Sequence, residues 1–322
     1  MPFSGVTLPT AAAWAWVPIV LWAAFAQTLR NAAQRTLTTQ VGTLPATLVR
    51  FLYGLPFASA WVLLAWQMDA SALRPGFSWS WAAWLAFGAV AQLGATALLL
   101  MAMKERNFIV AVSLSKTEVL QVALFGTLFL GELPSWIGGL AMLVATVGVV
   151  MLSSPKGGAS SGTGQAANSG QKGQGWWRAA AAMGLASGAL FACSPVGYRG
   201  AALTPSGVSP WLVGAWGVMW AQLLQSILLG GYLAANSPQG LVAIAKAWRL
   251  SLMAGTMGAM ASIGWFTAFA LRPAADVRTL GLVEVLFSYL VSRKIFKEGL
   301  SGAEQVGLAL VTAGLIGICS QL

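Results

Sequence analysis

Apolar residues run in blocks along this chain, and polar ones interrupt the blocks at helical spacing. Ten blocks of about 20 residues, nearly free of charge, lie at roughly 13–33, 45–67, 79–103, 107–130, 134–153, 177–198, 208–234, 249–271, 274–296 and 302–321. Each is long enough to cross a hydrocarbon layer of about 30 Å as a helix. The pattern therefore predicts an all-α polytopic membrane protein with ten transmembrane helices. The stretch 153–175 breaks it: Gly, Ser, Gln and Lys dominate there. Such a segment cannot bury a core, and it reads as a linker between 1–152 and 176–322.

The two halves resemble one another. Glu118 and Glu132 recur 166 positions later as Glu284 and Glu298. Val119-Leu120 matches Val285-Leu286 at the same shift, and Phe25-Ala26, Leu124, Ser135, Thr146 and Gly148 have counterparts at Phe191-Ala192, Leu290, Ser301, Thr312 and Gly314. The chain reads as a duplication of a five-span unit. An odd number of spans sends the second copy in from the opposite side, so the halves are expected to be inverted repeats.

Composition agrees with this class. Hydrophobic residues make up 57% of the chain and charged ones 8%, where a soluble domain carries about 25% charged residues. Several of the sixteen tryptophans, among them Trp14, Trp16, Trp79, Trp81, Trp84, Trp176, Trp177 and Trp248, fall near span ends, as in an interfacial belt. The net charge of +10 reads as loop charge, so no nucleic-acid partner is expected. Odd-numbered loops hold Arg35, Lys104, Arg106, Lys156, Lys172, Lys246, Lys294 and Lys297; even ones hold mainly Arg74, Arg199 and Arg272. This bias makes the odd loops cytoplasmic and both termini external. Cys193 and Cys319 lie inside apolar spans and read as core residues. The chain has no histidine, which removes histidine ligands, bases and pH switches. No Lys or Arg precedes the first apolar run, against a cleaved signal peptide.

Candidate chemistry rests on polar residues inside the spans. A carboxylate at the bilayer centre costs at least about 2.5–3.5 kcal/mol, so Glu118 and Glu284, at matched positions of the two copies, point to a shared central cavity. Ser115, Glu118 and Gln121 recur every three residues, and Glu284 and Ser288 lie four apart, so each set shares a helix face. Lys116 is set two residues from Glu118, with Glu284 or another neighbour within its reach; Arg278 is placed nearer the membrane edge. An internal ion pair is the competing reading of these charges. Gln27, Asn31 and Gln34 share one face, as do Gln92 and Thr96, while Ser187, Ser194 and Tyr198 flank Pro195. Trp265, Phe266 and Phe269 offer an apolar wall. Glu132 and Glu298 end their spans and read as structural, favouring the positive starts of the next helices. Ser301 to Glu304 reads as a capping box. Small-residue stripes, Ala180-Gly184-Gly188-Ala192 and Gly307-Gly314, read as helix packing. No phosphate loop, zinc pattern or nucleophile elbow occurs, so no enzyme, cofactor or metal is expected.

Two stretches resemble a known family. Thr117-Glu118-Val119-Leu120 followed by Phe129-Leu130-Gly131-Glu132-Leu133, and Leu282-Val283-Glu284-Val285-Leu286 followed by Phe296-Lys297-Glu298-Gly299-Leu300, are similar to the end of an EamA repeat of the drug/metabolite transporter superfamily. The resemblance implies ten helices in two inverted five-helix halves. It also implies export of amino acids, amines or similar metabolites. Members typically keep both termini in the cytoplasm, against the loop charge here. Many carry proline after the second glutamate, where this chain has Val285, with Val119 at the matching place; its helices are thus expected to run unbroken past the carboxylates.

The expectation is a secondary transporter of a bacterial inner membrane. It works by alternating access, with Glu118 and Glu284 binding a cationic or zwitterionic substrate or exchanging protons for it. Its partners are the bilayer, a small substrate and a proton or other coupling ion; a monomer suffices. The alternative is a non-transporting sensor or assembly protein that keeps the fold.

Overall fold

The computed structural model describes residues 14–69, 73–102, 114–153, 172–296 and 302–321. These are helical throughout, with no strand among the described residues. In chain order the helices are α1 (Trp16–Val41), α2 (Thr43–Leu52), α3 (Leu55–Met68), α4 (Trp79–Ala102), α5 (Glu118–Leu130), α6 (Trp136–Ser153) and α7 (Lys172–Ala202). After them come α8 (Pro210–Asn236), α9 (Pro238–Lys246), α10 (Trp248–Leu271), α11 (Ala274–Gly281), α12 (Val283–Phe296) and α13 (Gly302–Cys319).

Among the described residues five segments are long and apolar enough to cross a membrane: Thr43–Met68, Trp79–Leu99, Pro210–Asn236, Trp248–Leu271 and Gly302–Cys319. α1 and α7 are as long, at 26 and 31 residues, but more polar. The surface is inverted relative to a soluble protein. Trp136, Ile137, Leu140, Leu143 and Val147 line one exposed face of α6, while Gln222, Gln225, Arg30 and Arg199 are buried. Apolar side chains out and polar ones in is the arrangement lipid favours, whereas such a patch facing water would be anomalous.

Small residues set the close helix contacts. A Cβ on Gly197 of α7 would lie 2.7 Å from Gly88 Cα of α4, and one on Gly148 of α6 would lie 2.6 Å from the Gly307 carbonyl of α13. α1 meets α10 in the same way, with Gly264 against Ala23. α8 packs on α2 and α3, α5 on α7 and α11, and α1 on α11 and α12. The Gly307-Gly314 stripe is thereby occupied by α6 within the molecule, and Gly188 faces Ser115 and Gln121.

Several expectations change. The second block is two helices, parted at Tyr53-Gly54. Helix α9 occupies a predicted loop, because Gly240 and Ile244 bury one side of it. α7 begins at Lys172, so the helix takes in the last four residues of the predicted linker; 154–171 lie outside the described residues. Trp16 and Trp81 are buried in the core, whereas Trp79 is 93% exposed. The helices do not run unbroken to the carboxylates: α5 starts at Glu118 after a turn at Lys116-Thr117, and α11 gives way to α12 at Leu282. Glu298 and Ser301 lie outside the described residues.

Candidate functional site

A cavity of about 760 Å³ lies among α1, α2, α4, α7, α8 and α10. Lys116, Glu118, Arg278 and Glu284 line it from the two helix breaks. Both glutamates sit in the first turn of a helix, Glu118 of α5 and Glu284 of α12, where the positive helix end favours a carboxylate. Each break is bordered by specific contacts. At the first, Thr117 Oγ1 donates to the Leu114 carbonyl at 2.7 Å and accepts from Gln121 Nε2 at 2.9 Å. At the second, Gly281 lies so near Trp265 that a Cβ would come within 2.7 Å of its ring.

The carboxylates have different partners. Glu118 pairs with the Arg278 guanidinium. Glu284 accepts from Asn31 Nδ2 at 2.6 Å and from the Gln27 amide. Gln27 Oε1 accepts from the Trp265 indole N–H at 3.0 Å, and Asn31 Oδ1 accepts from Arg30 Nη2 at 2.7 Å. Arg278 lies over the Trp265 ring at 5.4 Å. A relay Trp265–Gln27–Glu284–Asn31–Arg30 thus joins α10, α1 and α12. On the other wall, Gln225 Nε2 donates to Gln92 Oε1 at 2.7 Å and to Tyr198 Oη at 3.1 Å, and the Tyr198 hydroxyl donates to Gln92 Oε1 at 3.0 Å.

The cavity is open at one end and sealed at the other. Its lining includes the exposed Arg35, Thr39, Thr43 and Lys116 at the open end. At the far end Trp265 and Phe269 stack, with centroids 6.4 Å apart. Beyond them Arg199 pairs with Glu132 at 2.7 Å and donates to the Phe269 and Ala270 carbonyls at 2.8 and 3.2 Å. Glu132 therefore ties the end of α5 to α7 and, through Arg199, to α10.

Most of the residues singled out from sequence meet here. Ser115, Lys116, Glu118, Glu284, Gln27, Asn31, Gln34, Gln92, Thr96, Ser194, Tyr198, Trp265, Phe266 and Phe269 all line the cavity. Gln121 does not, because the turn at Lys116-Thr117 resets the helical phase and leaves it against Thr117 and Gly188. Ser187 is buried against the Ala95 carbonyl at 2.9 Å. The Ser288 side chain lies outside the described residues.

Sequence reasoning passed over Arg30 and Arg50, although both fall inside predicted spans, and set Arg199 in a loop. Arg30, Arg50 and Arg278 lie within helices and line the cavity, Gln222 and Gln225 join them, and Arg199 lies within α7. The argument that singled out Glu118 applies equally to an arginine inside an apolar block. The three-residue spacing of Gln27 and Arg30 was a usable signal, as was that of Gln222 and Gln225.

No protein-family model and no curated protein matches the chain. A solved structure described only as "Crystal structure of protein" is similar to it, with a TM-score of 0.66 at 18% identity over 95% of each chain. That likeness establishes a shared fold along nearly the whole chain.

Proposed function

We propose that the chain is a secondary transporter, most simply an exporter, that carries a small metabolite by alternating access through this cavity. The observation that carries the reading is one polar cavity, open at one end and closed by an ion pair at the other, lying between helices of both halves. The packing supports two inverted five-helix repeats. Exchanging the halves turns the pairing of α1 with α10 into that of α7 with α4, while α6 with α13 maps onto itself. The helix breaks before Glu118 and Glu284 also fall at matching places. Discontinuous helices ending at a central site are a recurring device of transporters.

The open end carries Arg35 and Lys116, on the side the loop charge marks as cytoplasmic. Loading from that side fits export. The paired carboxylates supply places for a proton or a substrate group, and nothing in the lining forms a nucleophile–base set that would make it an enzyme.

The test is transport in proteoliposomes loaded with a defined metabolite mixture, followed by mass spectrometry of the released fraction. At least one metabolite leaves vesicles holding the native protein, and its release drops at least tenfold with Glu118→Gln/Glu284→Gln. Equal release from the double variant removes the carboxylates from the mechanism. No difference between native protein and empty vesicles across a broad mixture sinks the transporter reading.

A further inference from the structure

The charges in the cavity do not balance. Arg30, Arg35, Arg50, Lys116 and Arg278 face it, against Glu118 and Glu284 alone. Arg278 is taken up by Glu118, and Arg30 is tied through Asn31 to Glu284. Among the described residues no carboxylate pairs with Arg50, and its Nε has no hydrogen-bond partner. Arginine keeps its charge in proteins, so this is a fixed cation in a cavity of reduced dielectric.

A second group of the cavity lining is also unsatisfied. Gln222 is 2% exposed, lines the cavity, and neither its amide oxygen nor its nitrogen has a partner. Two glycines lie against these residues. A Cβ on Gly258 would lie 3.3 Å from Arg30 Cδ and 3.6 Å from Arg50 Cγ, so both arginine stems pass over the same glycine of α10. One on Gly54 would lie 2.8 Å from the Arg50 backbone carbonyl and 3.1 Å from Gln222 Oε1, which sets the amide beside the backbone of α2. Arg30, Arg50 and Gln222, from α1, α2 and α8, thus line one cavity, the last two with donors to spare, and buried donors without acceptors are costly.

We propose that Arg30, Arg50 and Gln222 form a subsite for the oxyanion of a soluble organic anion, a carboxylate or phosphate, and that this is the substrate's charged group. The inference rests on the reading of the cavity as a transport site. It sets the substrate's charge apart from the cationic or zwitterionic substrate, or proton exchange, expected at the glutamates, because those are already neutralised or hydrogen-bonded. A planar guanidinium matches a carboxylate or phosphate edge, and the amide adds a donor without charge.

The test is thermal shift and calorimetry on the purified full chain in detergent, with succinate, glycerol 3-phosphate, putrescine and phosphatidylglycerol as probes. Succinate or glycerol 3-phosphate binds and putrescine does not. Binding weakens at least tenfold in Arg50→Gln and in Gln222→Leu. Arg50→Lys, which keeps the charge and loses the fork, weakens it less and serves if Arg50→Gln does not fold. The subsite is refuted if putrescine binds and neither anion does, or if anion binding is unchanged in these variants. Binding of phosphatidylglycerol alone overturns the assignment to a soluble anion. The two readings fail separately. Anion binding without transport leaves the subsite and removes the transporter; transport of a cation with no anion binding does the reverse.

Discussion

At the scale of residues, the cavity is a set of charges whose partners fix their roles. Glu284 is held by two amides, and Glu118 by a guanidinium. Removing a hydrogen bond to a charged group costs about 1.5–3 kcal/mol. Asn31→Ala should therefore lower the melting temperature of the purified protein and free one end of Arg30, more so than Thr96→Ala, whose hydroxyl only returns to the Gln92 carbonyl in its own helix at 2.9 Å. Equal melting temperatures for the two variants would show that the relay through Asn31 adds nothing. The glutamates were legible because acidic residues are so scarce in the chain, eight in all. Arg30 and Arg50 lie inside apolar blocks and answer to the same argument, whereas Arg199 falls just past its block and so reads as a loop cation.

At the scale of elements, glycine decides where helices touch. Gly148 of α6 lies against the Gly307 carbonyl, whereas Gly139 of the same helix has nothing within 4 Å of where its Cβ would sit. Overpacking costs about 1–3 kcal/mol, and alanine in a helix gains up to about 1 kcal/mol over glycine. Gly148→Ala should therefore melt several degrees lower than the native protein, and Gly139→Ala at or slightly above it. The reverse order would mean that the contact between α6 and α13 is looser than the structure has it. That the chain is helical and carries several apolar membrane-length segments could be read from its pattern. The breaks before the glutamates could not, because neither carries proline. A threonine hydroxyl borders one and a tryptophan ring packs against the other, and the ring belongs to α10, distant in sequence.

At the scale of the whole molecule, one end is locked and the other is not. Arg199 and Glu132 are mostly buried side chains that join α5, α7 and α10. Breaking a buried pair from one side costs about 3–5 kcal/mol, whereas neutralising both partners costs much less. Arg199→Gln should lower the melting temperature more than Arg199→Gln/Glu132→Gln does; an equal drop would make the pair irrelevant to the closed end. For a molecule that alternates, this lock is the contact that must part.

The most direct test is labelling of a cysteine placed inside the cavity. Ser262 lines it from α10; Ser262→Cys in a Cys193→Ser/Cys319→Ser background gives a single thiol. In sealed vesicles, a membrane-impermeant maleimide applied separately from each side should label it from both. Labelling from the side of Arg199 should quicken when Arg199→Gln is added. Labelling confined to the Arg35 side, with or without Arg199→Gln, would contradict alternating access and leave a pocket open to one compartment only.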